Sequence, residues 1–250
     1  IDFPISNMSN SNIDRIQVYI NDKPRSLVEH LGTGRHYNIN SKSGKLQLLF
    51  AEHTNSNDIY NTDISCYMDN MESLSRMSHP YVVIAPSYMV YSIDFDQFIH
   101  THIDSGADIT LLYHAVDNAK EAYLTCNVLD LNRQKGVQAI EANHGNKKNQ
   151  NIYMDTCIMK TELFISLVKE AKKLSSMYTL TDVINDKCET LDIRGVAHKG
   201  FFASVTDFPS YYKANMDLLN YKAAQELFHE DWPIYTRTND SCPTQYFDSA

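Results

Sequence analysis

Two continuous apolar segments separated by an amphipathic helix restrict the fold of this chain more than any other feature of its sequence. The first segment, YVVIA at residues 81–85, is typical of a strand covered on both faces, as the strands of parallel sheets are. Asp94 can cap a helix that ends at Gly106, and a second apolar strand is predicted at residues 109–113. A strand, a helix and a strand within about 30 residues have the length of a right-handed βαβ crossover, which predicts an α/β layered domain.

The rest of the sequence alternates between strand and helix patterns, with no internal repeat and no linker. Residues 16–20 alternate between apolar and polar side chains, which predicts a strand, and Ser26-Leu27-Val28-Glu29 has the capping-box pattern of a helix start. Apolar residues recur at helical spacing between residues 61 and 77, with Thr62 or Asp63 near the helix start. Further along, the patterns predict a hairpin from strands at 122–131 and 137–140, a strand at 152–159, and helices beginning at residues 161, 181 and 209. We therefore expect one α/β domain over residues 1–250.

The charge balance and hydropathy of the chain argue against several classes of function. The chain has 22 Lys and Arg residues against 31 Asp and Glu residues, a formal net charge of −9, so we expect no nucleic-acid partner. It has no stretch of 18 apolar residues, and its first residues, IDFPISNM, do not resemble a signal peptide, so we expect no membrane association. The five cysteines form no C-x-x-C pair, which indicates reduced thiols in a cytoplasmic protein; they are Cys66, Cys126, Cys157, Cys188 and Cys242.

Local motifs alone do not identify a reaction. The Gly32-Thr33-Gly34-Arg35 segment resembles a phosphate-binding loop, but no strand-to-helix turn is predicted around it, so an ordinary loop is favoured. His100 and His102 are two residues apart on a predicted helix, where they point to different faces and cannot share a metal. Three carboxylates suit Mg²⁺ as oxygen ligands, although a helix-capping role already explains the first; they are Asp94, Asp96 and Asp104.

Four segments together carry a family resemblance. They are IDFPISNMSNSNI at residues 1–13, SLVEHLGTGRHYNI at 26–39, YYKANMDLLN at 211–220 and DWPIYT at 231–236. In the same order, they are similar to the IDF-x-LSN-x-x-NSGI, SL-x-x-HLG-x-G-x-x-WDL, YW-x-AN-x-DLL and WPI-x-T segments of the bacterial ADP-glucose pyrophosphorylase (glucose-1-phosphate adenylyltransferase) family of glycogen synthesis. Each match is weak by itself, and the ordered set is specific.

The resemblance implies a GT-A-like, Rossmann-related nucleotidyltransferase domain with a mixed, mostly parallel central sheet flanked by helices. It also implies that the family's glycine-rich GGxGxRLxPLT nucleotide loop lies before residue 1 and its left-handed β-helix domain after residue 250. Residues 1–250 are thus expected to be a nucleotidyltransferase-like domain without these two parts.

The residues that the family uses to bind magnesium are replaced in this chain. Family enzymes transfer an adenylyl group from ATP to glucose 1-phosphate, and two aspartates hold the Mg²⁺ ion. The first aspartate lies in an SGDH-x-Y-x-MDY segment, which aligns with PSYMVYSIDF at 86–95 and places Tyr88 at its position. The second lies in W-R-D-V-G-T, which aligns with residues 202–206 and places Ser204 there. Because neither side chain offers the anionic oxygen that Mg²⁺ prefers, the resemblance implies no catalytic residue and no metal ligand at these positions.

Segments that contact the substrates in the family have also changed. The lysine of F-x-EKP, which contacts the sugar phosphate, aligns with Asn143. The GTADA nucleotide segment aligns with residues 61–65, so the resemblance makes Asn61 and Thr62 candidate remnants of substrate binding. The SMG-x-Y sugar-site segment aligns with YMDTC at 153–157, and Asp155 takes the place of its glycine. A carboxylate at that position is disfavoured beside an anionic sugar phosphate.

The combination of a retained scaffold and lost ligands resembles the GlgD-type regulatory subunit of Gram-positive bacteria. This resemblance implies a non-catalytic subunit that joins a catalytic GlgC-type subunit in a heterotetramer and raises its activity. No cofactor is then expected, and the remaining pocket binds a nucleotide or sugar phosphate weakly at most. The alternative is an active enzyme with a relocated Mg²⁺ site that uses Asp63 or Asp94. A third interpretation is a sensor that binds nucleotides or sugar phosphates without turnover.

Overall fold

The computed structural model describes residues 1–21, 24–39, 44–51 and 60–237 of the chain. The helices of this described part are α1 Asp2–Asn10, α2 Pro24–Leu31, α3 Asp63–Asp69, α4 Met71–Ser75, α5 Phe95–Ser105, α6 Thr161–Leu174, α7 Leu180–Asp186, α8 Phe208–Asp217 and α9 Tyr221–Leu227. Its strands are β1 Arg15–Ile20, β2 Lys45–Phe50, β3 Tyr81–Ile84, β4 Met89–Tyr91, β5 Ile109–Val116, β6 Asn127–Leu131, β7 Val137–Ala142, β8 Gln150–Lys160, β9 Ile193–Ala197 and β10 Phe202–Ser204.

A six-stranded sheet forms the centre of the molecule. Its strands follow the order β7-β6-β8-β5-β9. The sixth strand, β3, pairs with β8 on the edge opposite β5, which is the edge that β6 also uses. Strands β3, β5, β6 and β9 run in one direction, and β7 and β8 run in the opposite direction. The expected mixed α/β sheet is therefore confirmed. Four of its strands share a direction, but among the described residues β5 and β9 are the one pair of this sheet that is bonded in parallel. The reason is that the antiparallel strand β8 lies between β5 and both β3 and β6.

The predicted strand, helix and strand are present as β3, α5 and β5. Asp94 caps α5 as predicted, since its carboxylate accepts from the backbone N–H groups of Asp96 and Gln97 at 2.9 and 3.2 Å. Gly106 ends the helix with a φ of +67°, a conformation that glycine adopts without steric cost. The two strands are not neighbours, however, because the long antiparallel strand β8 lies between them.

Helices cover both faces of the central sheet, as expected. On one face, α6 and α7 pack their apolar side chains against β5 and β8, through Phe164, Leu167, Val168, Val183 and Ile184. On the other face, α5 packs Phe95 and Phe98 against Leu112, Ile152 and Ile158. Burying each of these large side chains contributes about 1.5–3 kcal/mol to folding, so the two layers fix the position of β8 and of the residues it carries.

Two smaller sheets stand beside the central one. Strands β1 and β2 pair in parallel, with Arg15 opposite Lys45 and Ile20 opposite Phe50. Strands β4 and β10 pair antiparallel, with Met89 opposite Ser204. The second of these sheets places the two segments that were aligned with the family's metal-binding motifs next to each other.

Four sequence predictions need correction. The apolar run at 81–85 predicted a strand covered on both faces, but each residue of β3 is only half-buried. The helix predicted at 61–77 is broken at Asn70, whose Nδ2 donates to the carbonyl oxygen of Cys66 at 2.9 Å. Ser26 lies inside α2 and does not cap it, because that helix already includes Pro24. The strand predicted from residue 122 begins at Asn127, because residues 118–126 form turns.

The other predicted elements match the structure, including β1, the β6–β7 hairpin and helices α6, α7 and α8. Among the described helices, none combines the length and apolar character that crossing a lipid bilayer requires. The four described cysteines, Cys66, Cys126, Cys157 and Cys188, are free thiols, and Cys242 lies outside the described residues.

Candidate functional site

An open cleft of about 1400 Å³ lies between the β1–β2 pair and the central sheet. Residues of β1 and of β3 line it, and within the described part of the chain each of these two strands is hydrogen-bonded along one edge only. The residues that follow the two strands, Asn21 and Tyr88, also line the cleft. Ligand sites of α/β proteins lie beyond the carboxyl ends of the strands, so this end of the cleft is the candidate site.

Tyr88 and Ser204, which the resemblance aligns with the two metal aspartates, lie on neighbouring strands one register position apart. Ser204 pairs with Met89, and the backbone N–H of Val205 donates to the carbonyl oxygen of Tyr88 at 2.8 Å, which extends the β4–β10 pairing by one residue on each strand. Ser204 is buried, and its Oγ accepts a hydrogen bond from the Cys126 thiol at 3.3 Å. Burial raises the pKa of Cys126, which keeps this thiol protonated as the donor.

The Tyr88 hydroxyl donates to Oδ2 of Asp155. Burial, followed by the charge of Asp155 and this hydrogen bond, raises the pKa of Tyr88, so the phenol is neutral at physiological pH. Burial also raises the pKa of Asp155, although the bond from Tyr88 opposes that shift. The second oxygen, Oδ1, is shielded from solvent and has no hydrogen-bond partner within the described structure.

Asp155 lies at an irregularity in β8. Leu111 of β5 pairs with Cys157, but Tyr113 pairs with Tyr153, so three residues of β5 oppose five of β8. The φ of Asp155 is +44°, in the left-handed region. A residue other than glycine is strained in this conformation by about 1–3 kcal/mol. The neighbouring Thr156 braces the bulge, because its Oγ1 lies 2.7 Å from the Tyr91 hydroxyl and 2.9 Å from the Met154 carbonyl oxygen. A glycine suits this conformation, as in the family segment that aligns here.

Thr62 and Asp63 begin α3, as predicted. The Thr62 Oγ1 accepts from the backbone N–H of Ser65 at 3.3 Å, so this candidate substrate residue is the helix cap, and Asn61 directly precedes it. The Asp63 carboxylate accepts from the N–H of Ile64 at 2.7 Å and from the N–H of Leu180 at 3.1 Å, which joins α3 to α7. Burial raises the pKa of Asp63 to about 6, against the effect of these bonds, and the nearby charge of Asp155 contributes.

Asn143 is buried and belongs to a different part of the structure. Its Nδ2 donates to the carbonyl oxygens of Ala119 and Tyr123, both at 3.0 Å, and its Oδ1 accepts from the N–H of Gly145 at 3.0 Å. The side chain therefore organises the turns at 118–126. The described contacts bring Tyr88, Asp155 and Ser204 together and do not include Asn143, so its contact with a ligand stays a prediction.

The residues that the resemblance aligns with the family's metal position do not fit Mg²⁺. Mg²⁺ requires anionic or strongly polar oxygens in near-octahedral geometry, whereas Tyr88 is a neutral phenol and Ser204 is a buried hydroxyl that accepts from a thiol. Asp63 and Asp155 are the nearby carboxyls, but Asp63 accepts two backbone N–H groups and Asp155 accepts the Tyr88 hydroxyl. In the described residues, no group of His, Cys, Asp and Glu side chains is arranged to hold a metal ion.

The remaining sequence candidates have structural explanations. His102 is buried, with Nδ1 2.8 Å from the Thr110 hydroxyl, and His100 is an exposed residue 3.9 Å from Asp96, so they are a core and a surface histidine. The segment at 32–35 precedes a single 3₁₀ turn rather than a helix that follows a strand. It is the ordinary loop that we predicted.

One histidine pair was missed by the sequence analysis. Nδ1 of His114 and Nδ1 of His198 lie 3.1 Å apart, and Nε2 of His198 lies 3.0 Å from the Ser92 carbonyl oxygen. The pair joins β5 to the end of β9 and to the segment after β4. The two residues are 84 positions apart, so no local pattern could have paired them.

The mixed α/β fold is that of a nucleotidyltransferase domain. The Nucleotidyl transferase family model matches residues 1–221, so the chain belongs to that family. The crystal structure of HddC from Yersinia pseudotuberculosis has the same fold, with a TM-score of 0.60 and 14% sequence identity over 84% of this chain and 81% of that chain.

Relatives with higher sequence identity are of two kinds, glucose-1-phosphate adenylyltransferases and GlgD proteins. The chain is 26% identical to a glucose-1-phosphate adenylyltransferase of Clostridium perfringens, over 98% of this chain and 63% of the relative. It is 27% identical to the glycogen biosynthesis protein GlgD of Geobacillus stearothermophilus, over 98% of this chain and 62% of the relative, and 24% identical to GlgD of Bacillus subtilis. The chain thus spans less than two thirds of the length of these relatives. Because the two kinds of relative match equally well, only the residues of the site can separate their roles.

Proposed function

We propose that this chain is the nucleotidyltransferase-like domain of a non-catalytic regulatory subunit of glucose-1-phosphate adenylyltransferase, of the GlgD type, acting in glycogen biosynthesis in the cytoplasm. One observation carries the proposal. Tyr88 and Ser204 lie on the two paired segments at β4 and β10, one register position apart, at the aligned positions of the two metal aspartates, and both are neutral.

The chemistry of adenylyl transfer explains why this pair argues against catalysis. A bound Mg²⁺ ion would offset the negative charge that builds on the phosphates in the transition state. The phenol of Tyr88 donates its proton to Asp155, and the hydroxyl of Ser204 accepts from Cys126, so both groups are already engaged. The loss of both anionic metal ligands is expected to lower the rate by several orders of magnitude.

The intact scaffold supports a role through contacts with another subunit. Hydrophobic cores are present on both faces of the central sheet, although the residues aligned with the family's metal and substrate positions differ from those of the family. A regulatory subunit acts by binding the active state of its partner more tightly than the inactive state. We propose that the partner is a catalytic GlgC-type subunit and that the two form a heterotetramer.

The proposal is tested with the full-length protein. ADP-glucose formation is measured with ATP, glucose 1-phosphate and Mg²⁺, first alone and then with the catalytic subunit from the same genome. We expect no turnover by the protein alone, together with a higher rate or an altered effector response in the mixture. Turnover alone that approaches the rate of the catalytic subunit would disprove the non-catalytic role, and a mixture that behaves as the catalytic subunit alone would disprove the regulatory role.

One alternative function is an active nucleotidyltransferase with a relocated metal site that uses Asp63, a buried carboxyl that lines the cleft. Burial raises the pKa of Asp63, and the nearby charge of Asp155 contributes to that shift. An active site of this kind requires Mg²⁺ for the binding of ATP, and the Asp63→Asn substitution would abolish this Mg²⁺-dependent binding. The regulatory proposal predicts that ATP affinity is the same with Mg²⁺ and with EDTA.

A further inference from the structure

Asp155 has a conformation that is unfavourable in two respects. It lies in the bulge that adds two residues to β8 between its pairings with Leu111 and Tyr113 of β5, and its φ of +44° strains any residue other than glycine. Its Oδ1 is shielded from solvent and has no hydrogen-bond partner in the described structure, which is rare for a buried polar atom. Each feature raises the free energy of this arrangement, so a second arrangement that relaxes Asp155 is close to it in free energy.

Two tyrosine hydroxyls from one short segment hold the bulge in the described arrangement. Tyr88 lies just before β4 and donates to Oδ2 of Asp155. Tyr91 ends β4, and its hydroxyl lies 2.7 Å from Oγ1 of Thr156. Tyr91 is completely buried, and its carbonyl oxygen accepts from Nδ2 of Asn7 at 2.9 Å, so the bond to Thr156 is fixed in the core.

The bond from Tyr88 is the one that can be broken from outside the core. Tyr88 is 37% exposed and lines the open cleft, so rotation of its ring into the cleft loses little burial. That rotation leaves the buried Asp155 carboxyl with neither oxygen hydrogen-bonded to a described residue. A buried carboxyl without any hydrogen bond is unfavourable enough to force a change in the backbone that carries it.

We propose that the bulge of β8 is a two-state element and that the Tyr88–Asp155 bond is the latch that holds it in the described state. In the second state Tyr88 points into the cleft, the backbone of Asp155 leaves the left-handed region and its carboxyl reaches solvent. Because β8 pairs with β3, β5 and β6, a change at the cleft then alters strands on both sides of β8. The inference goes beyond the proposed function, since it requires neither a catalytic partner nor an absence of turnover.

Methyl relaxation-dispersion NMR on the full-length protein, with labelled Met and Ile methyl groups, tests the proposal. Met154, Ile158 and Met159 are fully buried in or beside the bulge and report on it. We expect exchange at these methyl groups with a second state populated to about 0.1–10%. Tyr88→Phe keeps the ring and removes the hydroxyl, so the ratio of the second state to the first should rise about tenfold or more. An absence of exchange in both proteins would overturn the proposal.

Asp155→Gly is the reciprocal variant. It removes both the strained side chain and the unpaired oxygen, so exchange should disappear and the melting temperature should rise by about 2–6 °C. Exchange that persists in Asp155→Gly, or a lower melting temperature, would contradict the two-state bulge.

A double-mutant cycle isolates the latch. In the Asp155→Gly background, Tyr88→Phe should have no further effect, because its hydrogen-bond partner is already absent. Tyr178→Phe is the matched control, since the Tyr178 hydroxyl donates to Oδ2 of Asp186 at 3.0 Å on the exposed surface, and it should leave exchange in β8 unchanged. Effects of Tyr88→Phe that are equal in the two backgrounds would show that Asp155 is not its partner in a latch.

Discussion

The indole Nε1 of Trp232 donates to Oδ1 of Asn7 at 2.9 Å, so the single tryptophan of the sequence is joined to helix α1 near the start of the chain. The Nδ2 of Asn7 donates to the carbonyl oxygen of Tyr91 at 2.9 Å, and its Oδ1 also accepts from the N–H of Ile93 at 3.3 Å. One buried amide therefore connects α1, the end of β4 and residue 232. This connection holds β4, and with it the segment that carries Tyr88.

Asn7→Ala is expected to lower the free energy of unfolding by about 2–4 kcal/mol, because it leaves the buried Tyr91 carbonyl and the Trp232 indole without their partner. Urea denaturation followed by circular dichroism measures the change, and the fluorescence of Trp232 reports the local environment. Asn10→Ala is the control on the same helix, since Nδ2 of Asn10 makes an exposed bond to the Pro233 carbonyl. Equal losses in the two variants would show that the buried amide has no special role.

Restoring carboxylates at the family positions is expected to create divalent-cation binding. The triple variant Tyr88→Asp, Ser204→Asp, Asp155→Gly places carboxylates on the two paired strands, one register position apart, and removes the third. Its melting temperature should rise with MgCl₂ or MnCl₂, because a cation that binds only the folded state stabilises it. The matched neutral variant, Tyr88→Asn, Ser204→Asn, Asp155→Gly, should not respond. An equal response in both would show that these two positions do not face a common cation.

The Asp63 carboxyl is expected to make the protein less stable as the pH rises from about 4 to about 6. Its folded-state pKa, about 6, lies above the ordinary aspartate value of 3.8, so the folded state binds more protons in this window. The effect is up to about 3 kcal/mol. The free energy of unfolding, measured across this range, should fall with pH more steeply in the wild-type protein than in Asp63→Asn. Asp117→Asn, which removes an exposed charge elsewhere, controls for net charge.

The histidine pair is expected to have the opposite pH dependence. Burial lowers the pKa of His198 from 6.5 to about 4, so the stability that the neutral form supports is lost as the pH falls through this range. The bond to Ser92 requires a proton on Nε2 of His198, so its Nδ1 accepts from Nδ1 of His114. Nitrogen-15 NMR should show the Nε2–H form of His198 and the Nδ1–H form of His114. Titration of His198 near pH 6.5 would contradict this arrangement.

Local chemistry explains which elements could be predicted. Asp94 and Gly106 specify the two ends of α5 through the bonds and dihedral angles of single residues, and Thr62 does the same for the start of α3. The hydrophobic pattern, in contrast, does not say which strand is next to which. It predicted β3 as a fully covered strand, and the structure leaves β3 half-buried with β8 between it and β5.

The candidate site depended more strongly on long-range contacts. The alignment singled out Tyr88, Ser204 and Asp155 one by one, but their proximity follows from the β4–β10 pairing and from the bulge in β8. The same alignment grouped Asn143 with them, and the structure commits that side chain to a separate loop. The bond between Tyr88 and Asp155, 67 residues apart, has no signature in the local sequence.

The half-paired strands that border the cleft also bear on how residues 1–237 behave in solution. β1 and β3 each have hydrogen-bonding partners along one side in the described structure. Free backbone edges of this kind are templates for intermolecular β-pairing, which leads to precipitation and amyloid-like growth. The mutual repulsion of molecules with a net charge of −9 opposes such growth, and salt screens that repulsion. Colloidal stability of the 250-residue chain should therefore decline as the ionic strength rises.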